Sequence, residues 1–357
     1  MTSRKGPMRH SDDLLWSAIA DLSRFAALLT MADLGVADEL AHGPLGTAEL
    51  AERCEADSDA LRRVLRELEA MGLVRRTGDD RYDLTGHGTP LRSDVPGSLR
   101  SSIQTLGEES LWYAIGNLPA TVRAGSSALT ARFGGLYDHL AANPESSRLF
   151  GEYMATRAIP FIEGLVKRYD FTDVRTLVDV GGGRGHILAA VLRANPGMRG
   201  VLLDQAHVIE QARPALEADG VIGRCELVPG DFFREVPAGG DAYLLGSVLH
   251  NWDDEDAVTI LRNVRQAMDP AGRVLVLEVV LPDDDAPHLG KDLDMRMLAV
   301  FDGGAERSRA EYGALLARAG LAISRVVPLD GSASVIEAVT EAATEAATEA
   351  VAEPPAG

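Results

Sequence analysis

The second half of the chain alternates between apolar runs and amphipathic segments, and this alternation constrains the fold most. The runs RTLVDVG, RGVLLD, RCELVPG, DAYLLGSVLH and GRVLVLEVVL have strand length, and most are separated by segments of helical periodicity. Strands that alternate with helices predict a parallel sheet, and continuously apolar strands predict that helices cover both faces. The last two runs, LAISRVVPL and SVIEAV, have no helix between them. We therefore expect a doubly wound α/β domain with one antiparallel edge strand.

A glycine-rich segment, LVDVGGGRGH, follows the first of these strands. Asp179 ends the strand, and Gly181 and Gly183 let the backbone approach a ligand at the start of a helix. The dinucleotide pattern GxGxxG, started at Gly181, needs a glycine where this chain has His186. The segment thus favours a nucleoside ligand and disfavours a nicotinamide cofactor.

Acidic residues follow the next two strands as well. Asp204 ends the second strand, where a carboxylate can accept both hydroxyls of a ribose. Asp231 and Phe232 follow the third strand, where they can bond and cover an adenine. Each residue alone is equally well explained as a turn residue. Three such positions at one edge of a sheet predict a binding groove, because open α/β sheets bind ligands at that edge.

The stretch GSVLHNWDDED places His250 at the end of a buried run. A lone histidine is more often a core residue, but this one follows three groups of ligand-binding type. An imidazole with an ordinary pKa near 6.5 is largely neutral at pH 7 and can accept a proton. The position therefore predicts a general base.

Composition excludes several classes of protein. The net charge is −19, which disfavours nucleic acid as a partner. Two distant cysteines, Cys54 and Cys225, form neither a disulfide framework nor a metal motif, and we expect no metal. We find no signal peptide and no apolar run long enough to span a membrane, so we expect a cytoplasmic protein without a membrane partner.

Residues 46–91 read as helix, turn, helix and a short hairpin, which is a winged-helix pattern. The stretch 46–92 contains eight arginines and ten acids, a poor charge balance for binding DNA phosphates. A packing or dimerisation module is the better interpretation.

Several motifs together carry a resemblance to a known family. In order, they are VDVGGGRG, the LLD aspartate, GDFF, VLHNWDDEDAVTILRNV, LEVVLP and GGAERS. This set, with the winged-helix module before it, resembles the S-adenosylmethionine-dependent O-methyltransferases of plant phenolic and bacterial polyketide pathways. The resemblance implies a Rossmann-like methyltransferase domain, a homodimer formed through the N-terminal module, S-adenosyl-L-methionine as cofactor and a small aromatic substrate.

The resemblance also implies roles for individual residues. The cofactor-binding set is Asp179, Gly181, Gly183, Asp204, Asp231, Phe232, Gly246 and Ser247. Gly246 stands where plant relatives often carry a lysine, so a backbone contact alone carries over. The catalytic set is His250 as general base with Glu278 and Glu306 beside it. Glu278 is a lone acid in a buried strand, which favours a role, whereas Glu306 is equally well explained as a helix N-terminal acid.

Substrate contacts are predicted from the family's pocket-lining segments, and the candidates are Met154, Trp112, Asn251, Asp294 and Met297. The expected domains are a dimerisation domain at 11–98, a helical connecting region at 99–165, a catalytic domain at 166–339 and a TEAA-repeat tail at 340–357. Two rival functions stay open. One is a hydroxylation or pericyclic reaction on the same fold with the same cofactor, and the other is a cofactor-sensing regulator that binds DNA.

Overall fold

The computed structural model describes residues 10–329 and 332–340. The TEAA-repeat tail predicted at 340–357 lies outside the described residues, apart from Thr340. The chain forms two compact units. The first contains residues 10–109 with Glu145–Thr156, and the second contains Ser110–Pro144 with the chain from Arg157 onward.

Within the described residues, the first unit contains α1 to α5, the first part of α10 and a three-stranded antiparallel sheet of order β1-β3-β2. The helices are α1 (His10–Asp33), α2 (Val36–Leu40), α3 (Thr47–Arg53), α4 (Ser58–Ala70) and α5 (Arg100–Gly107), and the strands are β1 (Leu45–Gly46), β2 (Val74–Gly78) and β3 (Arg81–Leu84). The Asp57 side chain accepts a hydrogen bond from the Ala60 N–H at 2.8 Å and so caps α4. Helices α3 and α4 followed by the β2–β3 hairpin are the winged-helix arrangement expected from the sequence.

One side of α1 is apolar and exposed within the first unit. On α1, the large apolar side chains that are more than 60% exposed are Leu14, Leu15, Trp16, Ile19 and Leu22. Residues 13–33 are also long and apolar enough, by length and composition, to cross a membrane, which the sequence analysis did not anticipate. This property is weak evidence for a membrane span, because an apolar helix of a soluble protein passes the same test.

The helices of the second unit begin with a short series, α6 (Glu109–Gly116), α7 (Leu118–Ala124), α8 (Ala128–Phe133) and α9 (Leu136–Ala142). Helix α10 (Pro144–Arg168) divides between the two units. The later helices are α11 (His186–Ala194), α12 (Ala206–Ala218), α13 (Asp254–Ala267), α14 (Leu289–Val300) and α15 (Arg309–Arg318).

The central sheet of the second unit has the order β10-β11-β8-β7-β4-β5-β6, and the short β9 pairs with β8. Its strands are β4 (Thr176–Val180), β5 (Arg199–Asp204), β6 (Cys225–Pro229), β7 (Ala242–Gly246), β8 (Arg273–Leu281), β9 (Arg307–Ser308), β10 (Leu321–Pro328) and β11 (Ala333–Thr340). Strands β4 to β8 pair in parallel, as the alternating pattern predicts. The antiparallel strand is β11, which lies between β8 and β10 and therefore one position inside the edge.

Alternate residues of the strands pack on opposite faces of this sheet. Leu177 and Leu244 belong to a core with α10, α11 and α12, whereas Val178 and Leu245 belong to a core with α13 and α15. A parallel sheet covered on both faces is the doubly wound fold. Because β4 has β5 on one side and β7 on the other, the chain reverses direction across the sheet at β4, where such folds bind ligands.

Candidate active site

The glycine loop after β4 lies at this switch point. Gly181 has φ of +70°, and a Cβ added there would lie 3.2 Å from Phe232 Cε1 and 3.1 Å from Val248 Cγ2. Gly183 has φ of +59° and open space where a Cβ would stand. Glycine is needed at Gly181 for both the backbone conformation and the close approach of Phe232. The glycine loop and the Phe232 ring therefore lie next to each other, and their role in binding a cofactor stays a prediction.

Two carboxylates belong to the groove. Asp204 Oδ2 accepts from the Gly183 N–H at 2.8 Å, and Oδ1 accepts from the Gln205 N–H at 2.7 Å. Burial raises the pKa of Asp204, although the hydrogen bonds from the Gln205 and Gly183 N–H groups act in the opposite direction. Asp179 is fully buried under Gly182, and burial together with the Asp204 charge raises its pKa to about 7. Two acids thus lie close together beside the loop.

Asp231 is the most open residue of the predicted cofactor set that carries a charge. Its side chain is 49% exposed, lies 3.5 Å from Arg234 Nε, and accepts from the Phe233 N–H. The neighbouring Phe232 packs against Phe233 and Trp252, with ring centroids 5.1 and 6.0 Å away. The Phe232 ring is therefore held by other aromatic rings, while Asp231 stays open to solvent.

Gly246 and Ser247 end β7 on the other side of the switch point. A Cβ on Gly246 would lie 2.9 Å from Ile187 Cδ1, so a longer side chain here requires Ile187 to move. Ser247 has φ of +56°, a left-handed conformation that costs about 1–2 kcal/mol for a residue with a side chain. This strained residue redirects the chain into the turn Leu249–Asn251, which carries His250.

His250 is buried between two carboxylates. Its Nδ1 lies 3.0 Å from Glu278 Oε2 on β8 and 3.1 Å from Glu306 Oε1, and both glutamate side chains are fully buried. Glu278 Oε1 also accepts from the backbone N–H of Leu249 at 3.1 Å. The structure thus brings the three predicted catalytic residues together from three separate segments.

The charge state of His250 differs from the expectation of an ordinary, largely neutral imidazole. Burial of the ring lowers the pKa of His250, but the negative charges of Glu278 and Glu306, whose oxygens lie 3.0 and 3.1 Å from Nδ1, outweigh burial and raise it to about 9. Nδ1 faces both carboxylates, so Nε2 is the ring nitrogen left for another partner. The two carboxylates therefore favour the protonated form of the imidazole.

The motif GGAERS packs against the backbone of the turn that carries His250. A Cβ on Gly304 would lie 2.9 Å from the His250 carbonyl oxygen, and the Ala305 N–H donates to that oxygen at 2.9 Å. Arg307 is 4% exposed and donates to the carbonyls of Leu249 and Trp252. Sequence reasoning missed Arg307, although it stands next to Glu306 in the motif.

The predicted substrate residues have different positions. Asn251 Nδ2 donates to the Tyr137 hydroxyl at 2.9 Å, and Tyr137 stacks on Trp252 at 6.3 Å between centroids. Asp294 Oδ1 accepts from the Glu306 N–H at 2.9 Å, so it also supports the catalytic group. Their contacts with substrate stay predictions.

The other three candidates lie on helices. Met297 is buried on α14, and Trp112 on α6 is 38% exposed. Met154 lies on the part of α10 that belongs to the first unit, and its contact with substrate stays a prediction. Tyr137, which binds Asn251 and stacks on Trp252, is not among the residues selected from the sequence, because its spacing on a short helix carries no motif.

Comparisons with known proteins agree with this geometry. Residues 115–322 match the O-methyltransferase domain family, and residues 16–91 match the O-methyltransferase dimerisation domain family. The phenazine O-methyltransferase PhzM of Lysobacter antibioticus is 39% identical over 87% of this chain and 91% of its own length. The aclacinomycin 10-hydroxylase RdmB of Streptomyces purpurascens is 34% identical over 92% of this chain and 91% of its own length.

Solved structures extend the comparison to ligands. The O-methyltransferase NcsB1 from neocarzinostatin biosynthesis, in complex with S-adenosylmethionine and 2-hydroxy-5-methyl naphthoic acid, superimposes with a TM-score of 0.81. It is 34% identical, and the match covers 95% of this chain and 100% of that one. The chain therefore belongs to the O-methyltransferase family that joins an N-terminal dimerisation domain to a catalytic domain, and it is an S-adenosylmethionine-dependent O-methyltransferase.

Proposed function

We propose that the acceptor is a phenolic hydroxyl of a small secondary metabolite, such as an aromatic polyketide, and that His250 is the general base. The observation that carries the proposal is the position of His250 between Glu278 and Glu306, at the strand-end edge that also holds the glycine loop. The naphthoic acid bound by NcsB1 and the phenazine in the name of PhzM support an aromatic acceptor.

The residues of the groove fit S-adenosylmethionine. The absence of a side chain at Gly181 keeps a surface open beside the Phe232 ring, and the Asp204 carboxylate stands at the end of the neighbouring strand. In the proposed arrangement Asp204 binds the ribose hydroxyls, Asp231 and Phe232 hold the adenine, and Gly181 contacts the methionyl part. When bound, the cofactor supplies an electrophilic methyl group on a positively charged sulfur.

In the proposed reaction, protein residues position the acceptor and take the proton of its hydroxyl. Glu278 and Glu306 orient the ring through Nδ1, which leaves Nε2 to take the proton of the acceptor hydroxyl. Asn251, held by Tyr137, stands one residue from the base and is proposed to contact the acceptor. Positioning the oxygen in line with the methyl group adds to the effect of the base.

The hydroxylase RdmB makes a non-methylating reaction on this fold a second candidate. The group His250, Glu278 and Glu306 favours methylation, because a buried base with two carboxylates is suited to deprotonating a hydroxyl. The test incubates the protein with S-adenosylmethionine and a panel of phenols and aromatic polyketides, followed by mass detection. Formation of a product heavier by one methyl group together with S-adenosylhomocysteine supports the proposal, whereas an oxygenated product without methylation contradicts it.

We also propose that the protein is a cytoplasmic homodimer. The exposed apolar side of α1 and the match to the dimerisation domain support this assembly. Light scattering after gel filtration should give twice the chain mass of 38.0 kDa. The double variant Ile19→Asp and Leu22→Asp should lower that mass, and the neighbouring polar substitution Ser17→Asp is the control. A single-chain mass for the unaltered protein would contradict the proposal.

Nucleic acid and metal are not part of the proposed function. Arginines of the winged-helix module bind the module's own acids, as Arg62 does with Asp59 and Asp80, and Arg75 with Asp83. We expect no salt-dependent DNA shift in a gel, and such a shift would support the regulator instead. We expect equal methylation with and without a chelator, and loss of activity in chelator would contradict metal independence.

A further inference from the structure

The turn that carries His250 is held on two sides by other parts of the second unit. On its N–H side, Glu278 Oε1 accepts from the backbone N–H groups of Leu249 and His250 at 3.1 and 3.4 Å. On its carbonyl side, the Ala305 N–H donates to the His250 oxygen at 2.9 Å. The backbone around the histidine is therefore bound from β8 and from the motif GGAERS.

Two glycines bring this motif close to the turn. A Cβ on Gly304 would lie 2.9 Å from the His250 carbonyl oxygen and 3.2 Å from that of Asn251. A Cβ on Gly303, whose φ is +79°, would lie 2.6 Å from Asp253 Cβ. A larger residue at either position would push the two backbones apart, so the motif and the turn are packed in direct contact.

Arg307, from the same motif, binds the turn on both sides of His250. Its side chain is 4% exposed, and it donates to the Leu249 carbonyl through Nη1 at 3.0 Å and to the Trp252 carbonyl through Nη2 at 2.8 Å. Nε and Nη2 also donate to Asp254 Oδ1, at the start of α13, at 3.1 and 2.8 Å. A guanidinium makes these contacts together because its five N–H donors are fixed in one planar fork.

The backbone of Arg307 is fixed to the central sheet. Arg307 begins β9 and pairs in parallel with Val280 of β8. Glu278 lies on β8 as well, and Glu306 directly precedes Arg307 in the chain. One strand of the sheet thus sets the positions of both carboxylates and of the arginine. The guanidinium connects this strand to a turn that follows the left-handed Ser247.

Arg157 is a second arginine near the carboxylates, but it does not hold the turn. Its Nη2 lies 4.0 Å from Glu306 Oε1 and, within residues 10–329 and 332–340, makes no hydrogen bond. Arg157 therefore contributes charge, whereas Arg307 makes directed bonds to the backbone that carries His250.

We propose that Arg307 is a positioning residue for methyl transfer, which fixes where His250 Nε2 stands relative to the acceptor oxygen. The inference rests on the proposed role of His250 as general base. Arg307 acts through the backbone, because the carbonyls it binds flank the histidine while β8 holds the carboxylates beside Nδ1. A displacement of about 1 Å at a reacting group can lower the rate about 10²-fold. Loss of these contacts should therefore lower kcat and leave cofactor binding nearly unchanged.

The experiment is a double-mutant cycle of Arg307→Lys and His250→Ala. Lysine keeps the charge, but its single ammonium group lacks the planar fork that reaches both carbonyls and Asp254. We expect Arg307→Lys to lower kcat by roughly 10–100-fold. Its affinity for S-adenosylhomocysteine should stay within about threefold of normal, because the loss is in the catalytic step.

The second arm of the cycle starts from His250→Ala, whose slow turnover is followed with a labelled methyl group. Adding Arg307→Lys in this background should change kcat less than about twofold, because the group that Arg307 positions is gone. A merely structural role would give the same loss with or without His250. The matched control is Arg309→Lys, at an exposed arginine, which should leave kcat unchanged in both backgrounds.

The inference and the proposed function fail in different ways. An unchanged kcat in His250→Ala alone would contradict both the general base and its positioning by Arg307. If His250→Ala is slow but Arg307→Lys lowers kcat by the same factor in both backgrounds, only the inference about Arg307 is overturned. A normal kcat in Arg307→Lys would overturn it as well.

Asp254→Ala keeps the test decisive if Arg307→Lys does not fold. The Asp254 side chain is 63% exposed, so its removal should spare the fold while it releases Nε of Arg307. We expect kcat to fall roughly two- to fivefold, at the lower end of the coupling between residues in contact, and only where His250 is present. No effect, or an equal effect in both backgrounds, would overturn the inference.

Discussion

The cofactor groove and the catalytic group lie at the same edge of the sheet, but they are built differently. The groove consists of a glycine loop and polar residues at successive strand ends, and its polar atoms are partly open, as in the half-exposed Asp231. The catalytic group is a buried imidazole between two fully buried carboxylates that come from distant segments. In the proposed function, the first region binds the cofactor and the second takes the proton of the acceptor.

The difference has a functional meaning. The backbone N–H groups of the glycine loop and the half-exposed Asp231 carboxylate can bind and release a nucleoside while in contact with solvent. A buried group with no access to water keeps a strongly raised pKa, because solvent does not screen its charges. Variants in the two regions should therefore affect different measurements.

The largest expected effect follows His250→Ala. With a neutral phenol as acceptor, kcat should fall by about 10²–10⁴-fold, the usual contribution of a general base. The affinity for S-adenosylhomocysteine, measured by calorimetry, should change less than threefold, because no predicted cofactor contact is lost. The matched control is His87→Ala, which removes an exposed histidine of the first unit. An unchanged kcat would mean that positioning alone drives the reaction.

Asp204→Asn should have the opposite effect to His250→Ala: it should lower the affinity for S-adenosylhomocysteine and leave kcat nearly unchanged. A hydrogen bond to a charged group contributes about 1.5–3 kcal/mol, so loss of the charge should weaken S-adenosylhomocysteine binding by roughly 10–100-fold. At saturating cofactor kcat should stay within a few-fold, since His250 keeps both carboxylates. Asp231→Asn, at a more open position, should weaken binding less. If Asp204→Asn bound S-adenosylhomocysteine normally but had a low kcat, the proposed separation of cofactor binding from catalysis would be contradicted.

The pH dependence sharpens the comparison on the catalytic side. The pKa of His250 is raised to about 9, and the neutral ring is the form that takes a proton. With a neutral phenol, kcat/KM should therefore rise about tenfold per pH unit and level off near pH 9. Glu306→Gln removes one negative charge, which lowers the pKa of His250 and moves the plateau to lower pH. An identical profile in Glu306→Gln would show that Glu306 does not set the charge of the ring.

The groove was predictable from sequence because its residues are local. The glycine loop, Asp204 and Phe232 each follow a strand that its apolar pattern reveals, and parallel strands bring their carboxyl ends to one edge. His250 was predictable for the same reason. Glu278 carried a weaker signal, a lone acid in a buried strand.

The charge of the catalytic group was not predictable. Arg157 and Tyr137 reach the site from helices without a motif, so their positions depend on packing that periodicity does not reveal. The raised pKa of His250 requires both Glu278 and Glu306 on one ring nitrogen. The ordinary pKa near 6.5 used in the sequence analysis leaves out these two carboxylates, whose charges raise the pKa of His250. The predicted boundaries at 99 and 165 stay predictions, and the two compact units divide that region at Glu109, Pro144 and Thr156.

The smallest expected effect on kcat concerns substitution of Asp179. This acid belongs to the predicted cofactor-binding set, but it is as buried as Glu278 and Glu306. Its pKa is raised to about 7, so the carboxyl is protonated in the fold at mildly acidic pH and opposes folding as pH rises from about 4 to 7. The full penalty is up to ~4 kcal/mol above pH 7, and a buried amide recovers part of it. Asp179→Asn should therefore raise the free energy of unfolding at pH 8, measured by urea denaturation, by on the order of 1–2 kcal/mol, with no gain at pH 4. Asp241→Asn is the control with the opposite sign. Burial raises the pKa of Asp241, but hydrogen bonds from the backbone N–H groups of Thr176 and Arg175 outweigh burial and lower it. The charge of Asp241 therefore favours the fold above pH 4, and its removal should lower the free energy of unfolding.

The affinity of Asp179→Asn for S-adenosylhomocysteine decides what this acid does. Weaker binding would mean that Asp179 serves the ligand at a cost in stability, whereas equal affinity would assign Asp179 to the fold alone.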